Sequence, residues 1–81
     1  MEREYRILHH RQALAGGHWD LLENRAPFHT QTATPPHGEG TLCGALQVLA
    51  EEGWNPAMDL HHRQAQSNES YILMERGQHR P

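Results

Sequence analysis

TLCGALQVLAEEGW, residues 41–54, decides the architecture. Its apolar residues Leu42, Ala45, Leu46, Leu49 and Ala50 recur at the spacing of one helical face. Thr41 offers a hydroxyl to an orphan amide of the first turn. Gly53 stands where a left-handed residue ends a helix, and Trp54 is placed to fold back on Leu49. Pro56 prevents continuation. The spacing predicts one amphipathic helix over 41–53, although Glu51 and Glu52 in its last turn oppose the helix dipole.

Outward from the helix, Tyr5–His10 and Tyr71–Glu75 have strand character, with a weaker stretch at Ala57–His62. Polar residues 64–70 read as the turn of a closing hairpin. Tyr71-Ile72-Leu73-Met74 is apolar on both faces, which marks a strand covered on both sides. One helix covers only one face of a sheet. The other face then needs the segment from Trp19 to Phe28 or a second copy of the chain. Residues 26–40 (APFHTQTATPPHGEG) have no periodicity and read as a long loop.

An internal repeat links the two ends. Leu8-His9-His10-Arg11-Gln12-Ala13 recurs as Leu60-His61-His62-Arg63-Gln64-Ala65. The same offset aligns Trp19 with Tyr71, Leu21 with Leu73, Leu22 with Met74 and Glu23 with Glu75. This predicts two related hairpins, 5–24 and 57–76, with the helix between them. The expected fold is α+β in one domain over 1–81: an antiparallel sheet of three to four strands with the helix packed on one face.

Composition limits how that fold is supported. An 81-residue chain with 36% hydrophobic residues has a thin core, since small domains bury only about 60% of their unfolded surface. Cys43 is the only cysteine, so an intrachain disulfide is excluded. A metal or a second subunit remains as the extra support. The lone thiol and the lack of an apolar signal core or membrane-spanning run predict a cytoplasmic protein. Seven arginines and no lysine stand against ten acids; eight added protons on the eight histidines would turn a net charge of −3 into +5. Mild acidity at neutral pH disfavours non-specific nucleic-acid binding.

The histidines are the main source of chemistry. Neighbours in a strand point to opposite faces, so each His-His pair gives one imidazole to each face. His9 would match His61, and His10 would match His62. Imidazoles brought together suit zinc or another divalent ion, although histidines at strand ends are more often solvated or hydrogen-bonded than ligating. His10 with His18-Trp19-Asp20 supplies two imidazoles and a carboxylate, a donor set for a zinc or manganese ion with an open position. The stretch Leu8-His9-His10 … His18-Trp19-Asp20-Leu21-Leu22-Glu23 resembles the metal-binding hairpin of the 3′-phosphoesterase domains of bacterial DNA-repair ligases. That resemblance implies His10, His18 and Asp20 as metal ligands and phosphoester hydrolysis as the activity. It covers about 20 residues.

A wider resemblance rests on Tyr5-Arg6-Ile7-Leu8, on Leu46 to Trp54 with its Glu-Gly-Trp stop, and on Tyr71-Ile72-Leu73-Met74-Glu75-Arg76. This pattern is similar to a family of short bacterial and phage domains of unknown function. It implies an opening strand, a helix and a closing hairpin. The chain departs from it at residues 13–40 and at Asn55-Pro56. Cys43 reads as a small buried residue of the apolar helix. Gly38-Glu39-Gly40 lacks the lysine and length of a phosphate loop.

These features predict a non-enzymatic, self-associating module, most simply a homodimer, with the sheet face opposite the helix as its interface. His9, Arg11, His61, His62, Arg63, Tyr71 and Leu73 are its candidate ligand or interface residues. A metal-dependent hydrolase using His10, His18 and Asp20 is the competing expectation.

Overall fold

A computed structural model describes residues 3–23, 33–61 and 66–77. It is α+β, with one helix on a five-stranded antiparallel sheet. In chain order the elements are β1 (Arg3–Ala13), β2 (Gly16–Glu23), β3 (Ala33–Glu39), α1 (Leu42–Glu51), β4 (Asn55–Asp59) and β5 (Glu69–Gly77). The sheet order is β3-β2-β1-β5-β4, which puts β1 at the centre.

The helix forms and stops as its sequence dictates. The Thr41 side chain accepts from the Gly44 amide at 3.0 Å. At the other end the Gly53 amide donates to the Ala50 carbonyl and the Trp54 amide to the Leu49 carbonyl, at 3.0 and 2.9 Å. These are the paired bonds of a Schellman stop, made possible by Gly53 at φ +90°. Trp54 is buried in one cluster with Leu49, Ala45, Leu8, Trp19, Leu21 and Met74. Arg76 reinforces the stop. Its guanidinium lies 4.4 Å from the centre of a Trp54 ring, its Nη1 donates to the Glu52 carbonyl, and its Nε and Nη2 hold Glu4. A cation at the carbonyl end of the helix offsets the unfavourable Glu51 and Glu52.

Alternation divides the sheet residues between two faces. Leu8, Trp19, Leu21 and Met74 lie under the helix, with Ile72 packed beside them. Ile7, Leu22 and Tyr71 form a second cluster on the other face, with Leu60 and Leu73 against it. Ile7 has no exposed surface even in the single chain, so the middle of this second face is covered without a partner copy.

Both edge strands are irregular and carry proline. In β3 the register with β2 shifts between Asp20 and Leu21, where Pro35 and Pro36 fall. In β4 the register with β5 shifts between Pro56 and Met58. Proline cannot donate to a ladder and is tolerated at sheet edges, where it also blocks the pairing of further strands.

The structure corrects several expectations. Residues 33–39, read as part of a loop, form β3; their prolines hide the strand because an edge needs only one ladder. The helix therefore joins β3 to β4 rather than one hairpin directly to the other. Cys43 is exposed, on the outer side of the helix. The sequence repeat is not a structural one. Leu8, Trp19 and Leu21 belong to the helix-side cluster, whereas their counterparts Leu60, Tyr71 and Leu73 belong to the opposite one. Leu22 and Met74 are reversed in the same way. Since β1 runs in the direction of β4 and β2 in that of β5, superposable copies would keep their faces. An odd slip in register inverts them.

Two substitutions test this account. Gly53→Ala is expected to lower stability by about 1–2 kcal/mol, because a β-carbon opposes the left-handed backbone that ends the helix. A β-carbon on Gly17 would collide with the Gly40 carbonyl and stand 2.8 Å from the His10 Nε2. Gly17→Ala should therefore cost about 1–3 kcal/mol. Urea unfolding of both variants checks these values.

Candidate functional site

Eight side chains that carry charge or a titratable group lie on the face away from α1. Strand pairing lays them out in two rows. His37, Asp20, His9 and Tyr71 face one another across β3, β2, β1 and β5. Glu39, His18, Arg11 and Glu69 form the next row towards the β1–β2 turn. The first row alternates base and acid from His37 to His9; in the second, His18 and Arg11 lie side by side between Glu39 and Glu69.

His9 is the centre of this belt. Its ring stacks on Tyr71, with centroids 4.5 Å apart and planes at 19°. Its Nε2 lies 2.7 Å from Glu69 Oε2. An ionised carboxylate only accepts, so Nε2 carries the proton. On the other side, His9 Nδ1 is 3.8 Å from Asp20 Oδ1, too long for a hydrogen bond. Asp20 Oδ1 is buried with no hydrogen-bond partner. Arg11 Nη2 reaches the same Glu69 oxygen at 3.2 Å.

Glu69 is held ionised. The Gln66 amide, donating at 2.8 Å, is the main reason that its pKa drops from 4.5 to about 2. Burial acts in the opposite direction, and His9 and Arg11 add to the lowering. Burial raises the Tyr71 pKa above its ordinary value, helped by the negative charges of Glu69 and Asp20 and opposed by Arg11.

The expected metal set does not assemble. His10 points to the helix side, where it is buried and its Nε2 lies 2.9 Å from the Gly40 carbonyl. It locks the turn that feeds Thr41 into the helix. Asp20 sits opposite His9, and His18 opposite Arg11, both on the other face. A β-sheet separates His10 from the other two, so one ion cannot take all three. Among the described residues no three His, Cys, Asp or Glu side chains are clustered as metal ligands.

Of the expected ligand or interface residues, His9, Arg11 and Tyr71 do come together. Leu73 packs near them with Ile7 and Leu22. His61 stands apart at the end of β4, exposed at φ +49°, with its amide donating to Asp59 Oδ1. His62 and Arg63 lie outside the described residues. Sequence reasoning missed Glu69, His37 and Glu39. Glu69 is 60 residues from His9 and looks like any turn acid, and the other two were assigned to a loop.

Ala13, Ala15, Gly16, Gly17, His18, Glu39 and Gly40 line an open depression of about 350 Å³. Among the described residues the exposed large apolar side chains are Leu14 in the β1–β2 turn, Val48 on α1 and Met58 on β4. No described helix is long and apolar enough to cross a membrane.

The depressed Glu69 pKa has a definite consequence for stability. A carboxyl group whose folded-state value lies below its unfolded one stabilises the fold above about pH 4.5, and that contribution is lost as pH falls towards 2. Glu69→Gln should therefore be less stable than the parent at pH 6, with the difference shrinking between pH 4.5 and 2. Urea midpoints across that range measure it. Comparison with protein-family models, with curated proteins and with solved structures gave no match.

Proposed function

We propose that this chain is a small non-enzymatic binding module that associates with a second copy of itself through the sheet face opposite α1. The observation that carries the reading is the belt of mixed charge on that face. Its second row runs acid, histidine, base, acid across four strands. A mixed-sign row is self-complementary under a two-fold axis, because each copy presents both partners of every cross-copy ion pair. Arg11 is half exposed and so still accessible to a partner carboxylate while it holds Glu69.

The rest of the molecule favours the face over other surfaces. The proline-bearing, bulged edges β3 and β4 are poor templates for adding strands. The exposed apolar side chains are scattered over the β1–β2 turn, α1 and β4. Catalysis is less well served, since the His9 ring is committed to Glu69 on one nitrogen and stacked on Tyr71. Because the centre of the face is already covered, the contact is polar and of modest strength.

Sedimentation at micromolar concentration should give twice the 9.3 kDa chain mass. Arg11→Ala, with its fold verified by circular dichroism, should shift the population to monomer. Raising salt to about 1 M should do the same, because exposed pairs are screened within about 3 Å there. A parent chain that remains monomeric at low salt would overturn the proposal.

A further inference from the structure

The His9 ring lies on the central strand, with β2 on one side and β5 on the other. Each of its nitrogens points at a carboxylate. Nε2 is bonded to Glu69 Oε2 at 2.7 Å, whereas Nδ1 stands 3.8 Å from Asp20 Oδ1. The second approach is too long for a hydrogen bond, and the Asp20 oxygen is buried with no partner. With its one proton on Nε2, a neutral ring presents only a lone pair at Nδ1. Two acceptors therefore face each other across the gap, and a buried acceptor without a donor is destabilising.

The groups around the ring leave a place for one more positive charge. Asp20 and Glu69 contribute two carboxylates, and Arg11, which shares the Glu69 oxygen at 3.2 Å, contributes one cation. An imidazolium would cancel the negative charge left over. Tyr71 of β5 stacks on the ring as a neutral phenol, and its aromatic face attracts a cation. His37 stands opposite Asp20 on the far side, and His18 opposite Arg11, both exposed. The His9 side chain is only 17% exposed, so water competes little for a new N–H.

We infer that a second proton on His9 closes this gap, so that one imidazolium bridges Asp20 on β2 and Glu69 on β5 and clasps the three central strands. Closure needs the ring and the carboxylate to approach by about 1 Å, from 3.8 Å to ordinary hydrogen-bond length. An imidazole of ordinary behaviour takes up its second proton near pH 6.5, which makes the clasp a device that tightens in mild acid. In the unfolded chain nothing holds Asp20 against His9, so the bond is gained only on folding. The parent therefore gains stability, relative to a chain without the Asp20 carboxylate, as pH falls through this range. The clasp forms within one chain and does not depend on self-association.

Nitrogen-15 spectra of the histidine rings in the full chain, at pH 8 and pH 5.5, test this together with urea midpoints over the same range. Glu69 stays ionised throughout that window, so its own titration does not intrude. At pH 5.5 the parent should show a His9 Nδ1 proton protected from exchange with water, and Asp20→Asn should lose that protection. The urea midpoint of the parent should pull ahead of that of Asp20→Asn as pH is lowered. His37→Gln, which removes the imidazole on the other side of Asp20, should leave both responses intact. An unprotected His9 Nδ1 in the parent at pH 5.5, a midpoint difference constant with pH, or loss of the response in His37→Gln would each overturn the clasp.

Discussion

The structure depends on the alternation of β1, the central strand of the five-stranded sheet. Ile7 and Leu8 are consecutive and both fully buried, one in each apolar cluster. His9 and His10 continue the alternation with polar side chains. His10 goes under the helix and ties down its entry; His9 goes to the opposite face and organises the charged belt. A slip of one residue would exchange every one of these roles.

The helix is fastened at both ends by polar contacts that the apolar core alone would not supply. At the entry, His10 holds the Gly40 carbonyl while the Gly40 amide donates to Gly17, next to the N-cap Thr41. At the exit, Arg76 joins the Trp54 ring, the Glu52 carbonyl and the Glu4 carboxylate. Between these points only Ala45 and Leu49 of the helix are fully buried. A ten-residue helix is too short to be stable in isolation, so anchoring by sheet side chains is what maintains it.

The two faces of the sheet divide the labour. The helix side holds Trp19, Trp54 and Met74 and is concerned with packing. The opposite side combines a small covered cluster at Ile7, Leu22 and Tyr71 with two rows of titratable residues. His9 stands between two carboxylates there, bonded to Glu69 at 2.7 Å and 3.8 Å from an Asp20 oxygen that is buried without a hydrogen-bond partner.

The helix and the β4–β5 hairpin were legible because their signals are local; the β1–β2 hairpin was reached through a repeat that the structure does not keep. Capping residues, a 3.6-residue period and a Gly-Trp stop act within a few positions of one another. The strand β3 was not legible, because prolines that break an ordinary strand are harmless on an edge with one ladder. Nor was the site. Two histidines in adjacent strands can be grouped only when it is known which face each occupies. That depends on register, which hydrogen bonding between distant segments decides. Hence His10, His18 and Asp20, attractive by spacing, are split by the sheet, while His9 meets Glu69 across 60 residues. The sequence by itself determined one capped helix with antiparallel strands around it and an excess of histidine. Tertiary structure alone decided which histidines share a face, because side-chain direction in a strand reverses with every residue.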